Sequence, residues 1–190
     1  MSDMNLYDFE PIVIDNFFTE EEIIDIYTIK SDSKNFIVDS NFGFITCTEN
    51  FTENIINKII SNVEKYTNSK LTFFGSHMPR YTWKSGTKPQ LLPHYDVGLD
   101  RTCYTLTIQL DHTLTWPFCV GENCYNVLRN QAILFSGSHQ IHWRPQTDFK
   151  EDDFYDIIVV QLTENNLPLL DSIHKEKMLK EADYYASKYF

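Results

Sequence analysis

The chain has 190 residues, enough for one compact domain with a sizeable core. Aromatic residues make up 15% and hydrophobic residues 42%, which excludes an intrinsically disordered chain. The formal net charge of −11 argues against non-specific nucleic-acid binding, because each phosphate contact needs Lys or Arg to displace counterions.

Residues 10–18 read as a short strand that turns into a helix. Thr19 and Glu22 form a capping box, and Ile23, Ile24, Ile26 and Tyr27 supply an apolar stripe behind it. Residues 35–48 suit one or two short strands around Gly43. A second helix starts near Thr52, with Ile55, Ile56, Ile59, Ile60, Val63 and Tyr66 on its buried face. Residues 71–83 read as a strand, followed by a turn at 84–87 and the approach to His94.

The segment 101–111 alternates Tyr104, Leu106, Ile108 and Leu110 with Thr105, Thr107 and Gln109. On an ordinary antiparallel sheet that polar face meets water; in a jelly-roll barrel around a cofactor it can turn inward. A hairpin at 116–128 feeds a strand at 132–135. Ser136-Gly137-Ser138 then reverses the chain toward His142, residues 155–162 form the last core strand, and 170–189 form a helix packed by Ile173, Met178, Leu179, Ala182 and Tyr185.

Cys47, Cys103, Cys119 and Cys124 include no Cys-x-x-Cys pair, so neither a disulfide framework nor a zinc site is expected and the thiols should be reduced. No window approaches the ~20 apolar residues of a membrane span, and Met1 to Asn5 do not open a secretory leader. The expectation is a cytoplasmic protein without membrane contact, one domain over 1–190, with helical support at about 1–70, a β core at about 71–163 and a closing helix at about 170–189.

The chemistry centres on His94-Tyr95-Asp96. On a strand His94 and Asp96 share a face, so an imidazole and a carboxylate converge on one point. A second imidazole would complete a two-His-one-carboxylate triad, which holds Fe(II) and leaves coordination positions open. His139 and His142 both follow Gly137 closely; the latter lies 142 − 94 = 48 residues beyond the first histidine. His77, His112 and His174 lack a suitable partner and suit surface or core imidazoles.

Taken together, Arg80-Tyr81 with Gly86, the His94-x-Asp96 pair, and His142-Trp143-Arg144 after a glycine turn resemble the 2-oxoglutarate/Fe(II) dioxygenases, in particular the prolyl-4-hydroxylase-like branch. The opening strand and capped acidic helix resemble that branch too. The resemblance implies a mainly β fold with flanking helices: a double-stranded β-helix, or jelly-roll, cupin-like barrel, with the two helices on one outer sheet face. It selects His142 as the third metal ligand and Tyr81 and Thr105 as 2-oxoglutarate contacts. Fe(II), 2-oxoglutarate and O₂ are the implied cofactors, with ascorbate in support. The implied reaction hydroxylates a C–H bond and releases succinate and CO₂. The alternatives are desaturation or ring closure at the same metal, or a non-catalytic metal-binding module.

The chain departs from the family at one point. The last core strand, where relatives carry a basic residue for the distal carboxylate, has none, and Lys150 sits among acids. Arg144 shares the inward face with His142, and its planar fork suits a carboxylate. The acidic balance favours a protein, peptide or small-molecule substrate over nucleic acid. Trp83, Tyr95, Trp116 and Trp143 are candidates for the pocket wall, although aromatics at such places more often pack.

Overall fold

The computed structural model describes residues 9–83, 88–96, 104–164 and 172–190, with side chains from 175 onward in the last segment. The opening strand β1 (Ile12–Ile14) leads into α1 (Glu20–Asp32). There the Thr19 hydroxyl accepts from the Glu22 amide and the Glu22 carboxylate accepts from the Thr19 amide, the expected capping box. Next come β2 (Phe36–Asp39), β3 (Phe44–Cys47) and α2 (Glu53–Thr67), which Thr52 caps at its start and left-handed Asn68 at its end.

The remaining elements are β4 (Leu71–Thr82), β5 (Leu91–His94), β6 (Tyr104–His112), β7 (Phe118–Val120), β8 (Asn123–Tyr125), β9 (Ala132–Phe135), β10 (His142–Arg144), β11 (Phe154–Glu164) and α3 (Ser172–Tyr189). They form a seven-stranded sheet in the order β1-β9-β6-β11-β4-β3-β2 and a four-stranded sheet in the order β5-β10-β7-β8. Every pairing is antiparallel. This is the expected double-stranded β-helix.

The larger sheet is buried on both faces. Leu106, Ile108, Ile158 and Val160 face outward, under Ile23 and Ile26 of α1 and Ile55, Ile59 and Val63 of α2. Thr105, Thr107 and Gln109 point the other way and are at most 3% exposed. Alternation alone leaves the destination of that polar face open; the second sheet closes over it. Ile24, Tyr66 and Leu179, read as buried-face residues from their spacing, are exposed instead, because each lies at the margin of its helix's buried arc.

One charge is buried with the outer layer. The fully buried Asp156 carboxylate accepts from Lys30 Nζ at 2.9 Å and Arg80 Nε at 2.8 Å, and Arg80 Nη2 also reaches it. Arg80 therefore faces the helices while its neighbour Tyr81 faces the interior, as strand alternation requires.

The cysteine expectation is corrected: Cys119 and Cys124 form a disulfide. Gly121 takes a positive φ of 57° in the two-residue turn between β7 and β8, so the two cysteines stand directly opposite each other in the hairpin. A search for Cys-x-x-Cys misses such a pair, because its proximity comes from cross-strand register. Cys47 is a buried free thiol, and Cys103, Gly86, the 84–87 turn, residues 101–103 and residues 170–171 lie outside the described residues. No helix among the described residues is long and apolar enough to cross a membrane.

Asp156→Ala should cost about 3 kcal/mol or more of folding stability, since it leaves two cations without their buried counter-charge. Urea unfolding checks this; a loss under about 1 kcal/mol would show the ion network to be incidental.

Candidate active site

His94 ends β5, Asp96 follows two residues later, and His142 opens β10. Antiparallel pairing of the two strands sets His142 directly opposite His94. One ligand atom from each of His94, Asp96 and His142 lies within 4.8 Å of the others, and this is the one such cluster among the described residues. His142 Nε2 is 3.6 Å from Asp96 Oδ1, and the two imidazole rings are 4.1 Å apart. The three residues expected to hold a metal are therefore brought together.

Both imidazoles are oriented by the main chain. His94 Nδ1 lies 2.7 Å from the Leu92 carbonyl and His142 Nδ1 lies 3.1 Å from the Gln140 carbonyl. A carbonyl can only accept, so each Nδ1 carries the proton and each Nε2 keeps its lone pair for an ion. Burial, and then the neighbouring His142, push the His94 pKa down to about 4, so it stays neutral near pH 7. Burial opposes ionisation of Asp96, but His142, His94 and the Thr105 hydroxyl outweigh it and hold the carboxyl well below its usual range. A neutral His94 imidazole and an ionised Asp96 carboxylate, with the His142 ring beside them, suit a divalent ion with open positions.

The triad lines a cavity of about 140 Å³ between the two sheets. Its wall includes Phe44, His77, Tyr81, Thr107, Phe135 and Gln161. The buried Tyr81 packs edge-on against Phe44 and Trp116, and burial raises its phenol pKa well above the ordinary value. Thr105 Oγ1 donates to Asp96 Oδ2 at 2.7 Å, so its proton is already committed to the metal-site carboxylate.

Arg144 is fully buried, two residues from His142 on the same strand. Its Nη1 donates to the Trp116 carbonyl, and its guanidinium lies 4.6, 5.0 and 5.1 Å from the Tyr155, Trp116 and Phe118 rings. Nε and Nη2 have no hydrogen-bond partner among the described residues. Tyr81 and Phe118 line the metal-site cavity, and Arg144, which lies over the Phe118 ring, is not among its lining residues. Lys150 is exposed on its acidic loop.

His139 takes no part in the triad; it lines a wider surface groove of about 460 Å³ with Tyr95, Glu122 and Glu181. The four aromatics considered for the pocket wall do not line the metal-site cavity. Tyr95 packs on Met178 of α3, Trp143 stacks on Tyr189 at 4.3 Å, Trp116 is buried beside Arg144, and Trp83 is half exposed. Tyr95 and Trp143 miss the cavity for one reason: each neighbours a metal ligand on a strand and so points to the opposite face.

His77 is the site residue that sequence reasoning missed. It lies in the cavity wall, where burial lowers its pKa and favours the neutral ring. The available signal was parity, since His77 and Tyr81 are four residues apart on β4 and share a face. His112 is half-buried, with Nδ1 lacking a partner, and the side chain of His174 lies outside the described residues.

This fold is similar to that of solved 2-oxoglutarate/Fe(II) oxygenase structures. A 2OG-Fe(II) oxygenase family oxidoreductase from Burkholderia pseudomallei superposes with a TM-score of 0.63 at 12% identity, over 82% of this chain and 85% of that one. The viral collagen prolyl hydroxylase of Paramecium Bursaria Chlorella virus-1, solved as a 2OG complex, gives 0.59 at 14% identity, over 86% of this chain and 99% of that one. The non-heme alpha ketoglutarate dependent carbocyclase SnoK from nogalamycin biosynthesis gives 0.64 at 10% identity, over 88% and 85%. No family model and no curated protein matches the sequence.

Titration with Mn(II) or Co(II) should show one site that is weakened at least about tenfold by alanine at His94, Asp96 or His142, and left within about twofold by His139→Ala. Isothermal calorimetry measures each affinity, and a large loss at His139 would remove His142 from the triad.

Proposed function

We propose that this chain is an Fe(II)- and 2-oxoglutarate-dependent dioxygenase that hydroxylates a C–H bond of a protein, peptide or small molecule. The observation that supports it most is on β10. Within three residues that strand carries an imidazole whose Nε2 is free for a metal and a buried guanidinium with two unpartnered N–H groups. A buried cation without a counter-ion is costly, so the arrangement makes sense where an anionic ligand completes it.

On this reading His94, Asp96 and His142 hold Fe(II), and Arg144 receives the distal carboxylate of 2-oxoglutarate with Tyr81 beside it. When bound, the metal and co-substrate supply the oxidising chemistry, consuming O₂ and releasing succinate and CO₂. The protein's own groups bind and orient. Thr105 spends its one proton on Asp96, so its part is to hold the metal's carboxylate rather than to donate to the co-substrate. Phe44, Phe118 and Phe135 line the cavity with apolar surface that excludes water from the reacting centre.

The likeness to a carbocyclase favours one second reading, ring closure on a small molecule at the same metal. Mass spectrometry of a lysate or peptide library supplied with Fe(II), ascorbate and 2-oxoglutarate separates the two. Hydroxylation adds the mass of one oxygen atom, ring closure removes two hydrogens, and an unchanged library with no succinate formed would sink both.

Arg144→Ala should raise the KM for 2-oxoglutarate by about a hundredfold or more, because removing one partner of a buried charge pair costs ~3–5 kcal/mol. Its metal affinity should stay near that of the parent protein. Lys150→Ala should change that KM by less than about threefold, since exposed pairs contribute under ~1 kcal/mol. Succinate release measured against co-substrate concentration decides between the two, and a large effect at Lys150 with none at Arg144 would overturn the assignment.

A further inference from the structure

The turn between β9 and β10 touches the metal site as well as delivering His142 to it. Gly137, in the buried Ser136-Gly137-Ser138 turn, accepts the Asp96 amide on its carbonyl at 2.8 Å. A Cβ at position 137 would lie 2.0 Å from Asp96 Oδ2, 2.2 Å from Thr105 Oγ1 and 2.9 Å from Asp96 Cγ. All three distances fall below 3.0 Å, a separation that real Cβ atoms essentially never show. The Asp96–Thr105 hydrogen bond thus occupies the space that a side chain at 137 would need.

We propose that Gly137 is a positioning residue for the metal: the missing side chain is what allows the Asp96 carboxylate to sit in the triad with Thr105 bound to it. The inference rests on the triad being a metal site. The glycine is required for space and not for backbone freedom, because the positive-φ glycines among the described residues are Gly43 and Gly121.

The turn cannot simply retreat from an added methyl group. The Ser136 carbonyl accepts from the amides of His139 at 3.0 Å and Gln140 at 2.7 Å, and the Ser136 amide donates to Gln140 Oε1 at 2.7 Å. Just before the turn, Phe135 is paired with Thr105 in the larger sheet. The groups in the way are the side chains of Asp96 and Thr105: rotation of Asp96 takes its oxygen away from His94 and His142, and rotation of the Thr105 hydroxyl removes the hydrogen bond that holds that carboxylate. A substitution remote from the open side of the metal would then act as a ligand deletion.

The test uses the full chain and metal alone as the probe. Gly137→Ala should weaken Mn(II) or Co(II) binding at least about tenfold, approaching the affinity of Asp96→Ala. Binding within about twofold of the parent protein would overturn the proposal. A stability cycle without metal covers the case in which the single variant folds poorly. In a background with Asp96→Ala and Thr105→Ala the obstructing atoms are gone, so Gly137→Ala should lower the melting temperature much less than it does in the parent background. An equal loss in both backgrounds, or failure to fold in both, would show that the contact with Asp96 and Thr105 is not the reason for glycine. If the parent protein binds neither metal through the triad, the metal reading fails, while the cycle still reports on the packing.

Discussion

The antiparallel pairing of two very short strands, β5 and β10, is the constraint on which the site depends. It sets His142 across from His94, and both imidazoles present Nε2 because main-chain carbonyls hold their Nδ1 protons. A slip of one residue would turn His142 and Arg144 to the other face and bring Trp143 inward. Three residues of strand cannot secure that register alone. Its other edge is held by β7, where Val120 pairs with His142 and Cys119 with Trp143, and the Cys119–Cys124 disulfide ties β7 to β8.

The second organising feature is the sorting of charge between the two faces of the larger sheet. On the outer face Asp156 is buried but meets Lys30 and Arg80, so the helical layer is joined to the sheet by a paired charge. Inside, Arg144 is buried without a carboxylate partner among the described residues and is surrounded by Trp116, Phe118 and Tyr155. Ring faces return about 2 kcal/mol each to a desolvated cation, which softens the cost but leaves two N–H groups unsatisfied. A fold stabilised only for its own sake would place a neutral side chain there. On the proposed function, the anionic co-substrate completes the guanidinium.

The carboxylate ligand shows how closely scaffold and site are joined. Asp96 is held by its backbone amide to Gly137, by its side chain to Thr105, and by the space left at position 137. The turn between β9 and β10, the first ligand pair and the third strand of the β core thereby meet at one oxygen atom. These contacts hold the carboxylate in place without an ion, and such preorganisation lowers the ordering cost of binding.

The sequence by itself determined whatever depends on local period and spacing. The capping box at Thr19, the buried face of α2, the strands around Gly43, the outward Leu106 and Ile108, and the convergence of His94 with Asp96 follow from helix and strand geometry within a few residues. The choice of His142 over His139 came from resemblance to a family motif, and His142 does join His94 and Asp96, whereas the emphasis on Arg144 came from the last core strand's departure from that family's pattern. Only the tertiary structure decided which partners those residues meet. The cross-strand register joined Cys119 to Cys124 where no spacing rule anticipated it, closure of the second sheet turned Thr107 and His77 onto the cavity, and alternation sent Tyr95 and Trp143 away from it. Gly137 looked like an ordinary turn glycine until Asp96 and Thr105, 41 and 32 residues away along the chain, were brought into the space beside it. The physical reason is common to all these cases: local propensity is a property of neighbours in sequence, whereas packing depends on atoms that only chain closure makes neighbours.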